Sequence, residues 1–438
     1  MRIGIIGGGL MGIALAYFLT EAGEQVTVLE QSAELGGLNG QLAFGEGLTV
    51  ARYQHAILPR DDATRRLCAR LGLENELVFG DVQTGFIHDN RIYPMTTLRD
   101  FFSFTPLSFR SRIQLGGALL QVRRRGNWES LDDVPVKSWL VKASGAETFE
   151  RIWRPLLETK FDGAYETVPA TYVWAWLNRM LAIRRPPRFN SSVGYLRRGH
   201  YSLIQALADD LTARGGQIQT QVRVREIIVA DGRLQQVRTH SGLLEFDALV
   251  AAIATPVFAR LIPGADKTYL ERLSREKYLG LICPVMVLDR PLSGYWTLNL
   301  TDPNSPFSSI IETPHPEYNG YYIVYLPRYT APDNDWMGVS DDDIREAWLS
   351  HLRQLFPQMA SKDPLHFSVS RSRYVEPVYS IHDTEKAASA QTPYQGLYLA
   401  NTGQVYPQLP TSEAVIVQAQ RVSRLVRQQR MMPAAVLS

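Results

Sequence analysis

Apolar positions open the chain in two short runs, Arg2 to Ile6 and Gln25 to Leu29, on either side of a longer, Ala-rich apolar segment that reaches Glu21. Short apolar runs with little polar alternation suit strands buried on both faces, and a long Ala- and Leu-rich stretch suits a helix. The pattern predicts strand, helix, a turn at Ala22-Gly23, and a second strand ending on Glu30. From Asp61 to about Arg188 the period changes. Helical spacing dominates, as in Ala63 to Leu73 and Val136 to Leu157, with no Rossmann-like alternation of strand and helix, and Pro186-Pro187 marks a boundary. A helix over Leu203 to Ala213 then stops at Gly215-Gly216. Three alternating runs follow, Gln219 to Val229, Leu234 to Thr239 and Leu244 to Ala252, with Asp231-Gly232 and Ser241-Gly242 as hairpin turns. Pro263 to about Val375 mixes strands (Tyr295 to Leu300, Ser308 to Glu312, Tyr321 to Tyr325) with one helix, Ser340 to Leu355. The last elements are a strand and turn over Gly396 to Gly403 and a helix from about Glu413 to Gln428.

The turn between the first strand and helix reads Gly7-Gly8-Gly9-Leu10-Met11-Gly12, and Glu30 lies 18 residues beyond Gly12. Strand, Gly-x-Gly-x-x-Gly, helix, strand and acid together form the dinucleotide fingerprint. Gly7 allows the tight turn, Gly9 lets a diphosphate approach the backbone, and Gly12 lets the helix pack on the strand. The phosphates then meet the unpaired N–H groups and positive dipole end of the helix, and Glu30 can accept hydrogen bonds from ribose hydroxyls. A purely structural glycine turn or a secretory leader would use a similar pattern, since Arg2 and the apolar stretch to Leu19 imitate one. Three consecutive glycines, no small-residue cleavage site and the matched second strand argue against a leader.

Composition narrows the class. The 438 residues hold two to three domains' worth of core, and at 45% hydrophobic and 21% charged they have an ordinary globular make-up. A net charge of +2 gives no reason to expect nucleic acid as a partner. Two cysteines, Cys68 and Cys283, without CxxC spacing, and eight scattered histidines exclude a disulfide framework and predict no metal site. The expected setting is the reducing cytoplasm. No apolar run is long enough to predict a transmembrane span.

Beyond Glu30 and Gln31, a glycine pair, Gly36-Gly37, followed by Leu38, again permits close backbone approach. Fingerprint, acid and second glycine pair together resemble the flavin amine oxidase superfamily, which includes protoporphyrinogen oxidases, phytoene desaturases and, more distantly, UDP-galactopyranose mutases. Leu156 to Ala175, Gly194 to Leu207, Tyr278 to Glu312 and Gly396 to Val415 carry the likeness further, toward a bacterial protoporphyrinogen-oxidase-like branch. The resemblance implies FAD rather than NAD. It implies an α/β fold with a Rossmann-like FAD-binding domain of the glutathione-reductase type and an inserted α+β substrate domain. The FAD domain is expected near 1–60, 189–260 and 376–430, with 61–188 and 261–375 forming the helical and sheet parts of the substrate domain. FAD contacts are expected at Gly7, Gly8, Gly9, Leu10, Met11, Gly12, Glu30, Gln31, Gly36, Gly37 and Leu38. The resemblance adds the backbone of Val224, three residues before Ile227, for the adenine, and the turn at Asn401 and Thr402. Two features depart from the superfamily pattern: Asn401-Thr402 stands where Gly-Asp or Gly-Glu is usual, and Glu413-Ala414 where Gly-Ala is usual.

The flavin would accept the hydride, so no nucleophilic triad is expected, and no GxSxG occurs. His55 can be a general base or substrate ligand, or a hydrogen-bonded structural histidine. Lys160 can bind a substrate anion, support water near the flavin as in some amine oxidases, or be a solvated surface lysine. His200, after Gly199, can lie against cofactor or substrate, or simply start a helix. Tyr406 can face the ring or pack as an ordinary aromatic. Arg110, Arg112, Arg123, Arg124 and Arg125 flank the apolar stretch Ile113 to Val122, and Arg184, Arg185 and Arg188 follow another helix. Such clusters suit a peripheral membrane contact at the inner face, a phosphorylated lipid-like substrate, or a solvated basic face. The expected activity is hydride removal from a C–N or C–C bond of a small or lipid-like substrate. The alternatives are a non-redox flavin isomerase of the mutase kind and a degenerate flavoprotein with a binding role. Substrate, electron acceptor and oligomeric state stay open.

Overall fold

The computed structural model describes residues 1–45, 47–124, 126–182, 184–185, 190–313, 320–360, 362–382 and 387–429. Its organising layer is a five-stranded parallel sheet in the order Gln217–Gln219, Gln25–Leu29, Arg2–Ile6, Ala248–Ala251, Leu397–Leu399. Ile3, Ile5, Val28 and Val250 are fully enclosed, as the unalternating apolar runs require. Helices Leu10–Glu21, Tyr201–Ala213 and Ser412–Gln429 cover one face through Leu15, Leu19, Leu203, Leu207, Ile416 and Val422. Leu10–Glu21 is buried on every side from Leu10 to Thr20, which explains why its sequence carries no polar stripe. The other face carries an antiparallel meander, Val224–Ala230, Arg233–Thr239 and Gly242–Leu244, and helix Thr255–Leu261, joined to the sheet by Ile6, Leu29, Val237, Leu249 and Phe258.

A second, mixed sheet is built on two long antiparallel strands, Lys277–Leu288 and His366–Val378. Its remaining strands run Arg328–Thr330, then Lys277–Leu288, Tyr322–Tyr325, Ser309–Glu312, Thr297–Leu300, Thr84–His88 and Arg91–Pro94. Helix Asp341–Leu355, started by the Ser340 hydroxyl, packs the enclosed Trp348 against this sheet. Helices Phe109–Arg124, Val136–Ser144, Arg154–Phe161 and Ala170–Ala182 form a lobe around Phe149, Trp153 and Phe161.

Three expectations need correction. The segment 61–188 is not free of strands, because Leu77–Val82, Thr84–His88 and Arg91–Pro94 lie inside it. Two of them pair with distant chain, Leu77–Val82 with Asn190–Leu196 and Thr84 with Thr297, so local periodicity carries no sign of them. The run from Gln219 to Val229 is two strands in two different sheets, broken where Gln221 takes φ 58°. Likewise Leu244 to Ala252 divides at Asp247, whose carboxylate accepts the Arg2 N–H at 2.7 Å and ends the meander. Pro186-Pro187 lies outside the described residues.

Gly12 sets how closely the first helix meets the first turn. A Cβ there would overlap the Gly7 carbonyl oxygen and meet Ala252 Cβ at 3.3 Å. Gly12→Ala is expected to lower stability by about 1–3 kcal/mol, because the obstacle is backbone. Gly45→Ala, where a Cβ meets nothing within 4 Å, serves as control. Urea midpoints of the two variants compare them, and equal midpoints would contradict this packing.

Candidate cofactor and active site

The strand ends at Ile6, Leu29, Ala251 and Leu399 all lie at the carboxyl edge of the parallel sheet, the edge where such sheets bind ligands. Gly7 leaves the first strand with φ 104°, and a Cβ there would reach the Ala252 carbonyl oxygen at 2.7 Å. Gly8 has its own constraint, since a Cβ would stand 3.1 Å from Glu30 Cβ and overlap Leu35. Gly9 faces space: the nearest atom to a Cβ would be the Gly36 carbonyl oxygen at 3.8 Å. Gly36 N–H donates to Gly8 O at 2.8 Å, and Gly37, at φ 54°, stands over Gly9. The two glycine pairs therefore form opposed walls with no side chain between them. Gly9 offers no side-chain cap and the first helical turn, with Leu10 and Met11, holds no acid, so the helix N-terminus faces this space uncapped. Glu30 accepts from Gly8 N at 2.6 Å and Ser32 N at 2.7 Å, which fixes the carboxylate while each oxygen keeps a further lone pair. Gln31 is exposed beside it. This backbone-lined cradle, with its fixed acid and anion-attracting helix end, fits a dinucleotide.

Val224 begins the meander, and its side chain packs with Ile6 and Leu29. Just before it, Val222 N donates to Glu30 O and Gln221 N to Ser32 O, tying this segment to the acid's strand end. Asn401 is buried and its side chain is fully engaged. Its amide donates to Ile253 O at 3.2 Å and Thr255 Oγ1 at 2.9 Å, and its carbonyl accepts from Gly403 N. Asn401 thus clips the turn to the neighbouring strand end, whereas Thr402 is half-buried with a hydroxyl unpartnered among the described residues. The Glu413 carboxylate accepts from Ala63 N, Thr64 N and Thr64 Oγ1, so it caps the helix Asp62–Arg70. Sequence reasoning missed Glu276. This buried acid accepts from Tyr379 Oη at 3.1 Å beside Gly403, and burial pushes its carboxyl above the usual range.

His55 and His200 come together, although 145 positions separate them in the chain. Their rings lie 4.8 Å apart at 30°. His55 Nε2 is 3.1 Å from Leu38 O, and His200 Nε2 is 2.8 Å from Ser412 Oγ. His200 precedes the helix Tyr201–Ala213 after Gly199, which turns the chain at φ 77°. Both histidines line a cavity with about 540 Å³ of empty space, lined also by Trp296, Glu312 and Tyr325 from the region of the mixed sheet. Burial holds both imidazoles below their usual pKa, and for His200 the neighbouring His55 adds to the effect.

Lys160 lies elsewhere and is not a solvated lysine. Its ammonium is 2.5 Å from Glu376 Oε2 and 3.3 Å from the centre of the Tyr329 ring. Desolvation opposes the charge, but Glu376 and Tyr329 outweigh it and raise the pKa. Tyr172 donates to the other oxygen of Glu376. Tyr406 donates to Asp132 and packs edge-on against Tyr379 and Trp128, so its hydroxyl is turned to the helical lobe. In the basic cluster Arg110, Arg123 and Arg124 are exposed, Arg112 donates to Phe102 O, and Arg125 lies outside the described residues. Arg188 is also outside them, and of Arg184 and Arg185 only the strand is described. Among the described residues no group of His, Cys, Asp and Glu could hold a metal ion.

The histidine pair gives the fold a pH dependence. Unfolded, both imidazoles titrate near 6.5; folded, they stay neutral lower. As pH falls through 6.5 the unfolded chain takes up protons that the folded chain refuses, so stability present above that pH is lost. The slope is at most about 1.4 kcal/mol per pH unit for each histidine. Melting temperatures from about pH 7.5 to 5 check this. His55→Gln/His200→Gln is expected to lose less stability than the wild type over that range, and parallel curves would contradict it.

Residues 10–426 match the family described as flavin containing amine oxidoreductase. The 15-cis-phytoene desaturase of Synechococcus elongatus is 24% identical over 92% of this chain and 89% of its own. Among solved structures, an oxidoreductase from Methanosarcina mazei superposes with a TM-score of 0.73 at 20% identity, covering 97% of this chain and all of its own. Cyclohexylamine oxidase from Brevibacterium oxydans does so with 0.72 at 15% identity, covering 98% of this chain and 99% of its own. The two superpositions establish the shared fold, and the match over almost the whole length establishes descent. The chain belongs to the flavin containing amine oxidoreductase family and is an FAD-dependent oxidoreductase.

Proposed function

We propose that this enzyme removes hydride from a C–C bond of an apolar, lipid-like substrate that it meets at a membrane surface. The observation that carries this is a cleft with about 860 Å³ of empty space between the helical lobe and the mixed sheet. Phe86, Phe104, Leu115, Trp153, Trp176 and Leu177 line most of it, with Thr84, Thr297 and Asn299 as its polar side chains, and among the described residues no charged side chain does. An ammonium group entering such a cleft would lose its hydration and meet no carboxylate among the described residues, so an amine substrate is disfavoured. The relative named as a phytoene desaturase supports the same reading. Met180 of this cleft packs in one cluster with Val193 and Trp296 of the histidine cavity, so the two spaces are separated by a few apolar side chains.

In this reading the segments near 1–60, 189–260 and 376–430 hold FAD and those at 61–188 and 261–375 hold substrate. Gly9 and Gly37 keep the cofactor cleft free of side chains, Gly7, Gly8, Gly12 and Gly36 let the backbone around it pack closely, the N–H groups of Leu10 and Met11 meet the diphosphate, and Glu30 meets the ribose. Gln31, Leu38, Val224, Asn401 and Thr402 complete the contacts through backbone groups and the Thr402 hydroxyl. When bound, the flavin supplies hydride acceptance. Neutral His55 and His200 are in the form that accepts a proton, whereas Lys160 stays charged and committed to Glu376.

The surface near the cleft supports uptake from lipid. Leu98, Phe102, Phe109, Ile113 and Leu120 are 48–65% exposed, interspersed with Arg110, Arg123 and Arg124. Apolar side chains among cations fit the interface of an anionic bilayer. Among the described residues no helix is long and apolar enough to cross a membrane, so contact would be peripheral.

Anaerobic mixing of the flavoprotein with a solubilised polyene or with primary amines tests the chemistry. Bleaching of the flavin band by the polyene is expected, slowed at least about tenfold in Leu177→Lys, which places an unpaired charge in the cleft. Bleaching by amines alone would overturn the substrate class. Sedimentation with anionic vesicles tests the surface: Arg123→Glu/Arg124→Glu is expected to weaken binding by at least about tenfold, at roughly 1 kcal/mol per lost cation. Equal binding by wild type and variant would remove the membrane contact.

A further inference from the structure

We infer that Arg52 is the cation that neutralises the diphosphate of bound FAD, an assignment that rests on the FAD reading of the glycine cradle. Three observations lead to it. The first is position. Arg52 N donates to Gly40 O at 2.9 Å, and a Cβ on Gly40 would stand 3.7 Å from the guanidinium carbon and 3.8 Å from Nη2. Gly40 lies directly behind Gly36, where a Cβ would be 2.9 Å from Gly40 Cα, and Gly36 bridges to Gly9 across the cradle. The guanidinium therefore lies against Gly40, beside the glycine wall of the nucleotide space.

The second observation is that this charge is unclaimed. Arg52 is partly buried, yet among the described residues its guanidinium has no hydrogen bond and no ion pair. A partly buried cation without a counter-ion is unfavourable and ordinarily finds a partner. Arg179 shows the usual outcome, its fork taking both oxygens of Asp61 at 2.9 and 3.0 Å.

The third observation is the charge of the surroundings. Between Arg2 and Arg52 the sequence has no lysine or arginine, while Glu21, Glu24, Glu30, Glu34 and Glu46 fall in the same stretch. From residue 387 to residue 420, which includes the turn at Asn401, there is none either. Arg2 is engaged with Asp247 at 3.8 Å, and Arg198, near His200, is exposed and paired with Glu76 at 3.5 Å. An anionic diphosphate in the cradle would thus meet backbone N–H groups, a helix dipole and one unpaired cation. A guanidinium is suited to the task because its planar fork donates to two phosphate oxygens at once.

The test measures FAD release and rebinding by the full-length holoenzyme for wild type, Arg52→Met and Arg52→Lys. Each measurement is made at low and high salt. Arg52→Met is expected to weaken FAD binding by at least about tenfold and to flatten its salt dependence, while Arg52→Lys keeps most of both. Melting temperatures of the three cofactor-free chains are expected to coincide, because among the described residues the Arg52 guanidinium has no hydrogen bond and no ion pair to lose. Sulfite affinity of the bound flavin is expected to be unchanged, since sulfite adds to the ring and reads charge there. An unchanged FAD affinity in Arg52→Met would overturn the assignment. So would a sulfite affinity lowered tenfold with normal FAD binding, which would place the cation at the ring, or a lower melting temperature of the cofactor-free variants, which would make Arg52 structural. Failure of the wild type itself to hold FAD would overturn the cofactor reading first, and it is seen before any variant is made.

Discussion

The contact between Gly12 and the Gly7 carbonyl is the constraint on which the rest of the molecule depends. With no Cβ at Gly12, the first helix starts almost on top of the first strand, and its uncapped N-terminus faces the carboxyl edge of the sheet. The strand can then be buried on both faces and the helix on all sides, which explains the lack of polar alternation in this segment. A backbone-lined cradle follows from the same arrangement: Gly36 is hydrogen-bonded to Gly8 and Gly37 stands over Gly9. Binding an anion here requires nothing from side chains except what the neighbouring turn and strand ends provide.

Those strand ends are knitted together from distant parts of the chain. Asn401 ties its turn to Ile253 and Thr255, Glu413 caps the helix that begins at Asp62, and Ser412 holds His200 against His55. The departures at Asn401-Thr402 and Glu413 therefore have structural uses: one amide clips two turns together, and one carboxylate caps the start of a helix. An acid is still present near the turn in Glu276, supplied by the connection into the mixed sheet, with its carboxyl pushed above the usual range by burial.

The readable part of the sequence was the part in which function is local. Gly7 to Gly12, Glu30 and Gly36-Gly37 each act within a few residues of their own position, so their spacing announces the turn geometry. Helix Asp341–Leu355 was legible for the same reason, with a Ser340 cap, an acidic first turn and one apolar stripe. Pairings that close over long loops left no local mark. The role of Lys160 stayed open between substrate contact and solvated surface because its partner Glu376 arrives on a strand over two hundred positions later, placed by the register of Leu279 with Glu376. His55 and His200 could each be singled out, but their contact could not. Asp247 and Gln221 hid sheet changes inside runs that alternate normally.

The visible absorption of freshly purified protein, with mass analysis of what heat releases, tests the central claim most directly. Bands at roughly 370 and 450 nm, a property of oxidised flavin, and release of FAD equimolar with the chain are the predicted result. A colourless protein that also fails to take up added FAD would contradict the cradle as a cofactor site, and with it the enzyme.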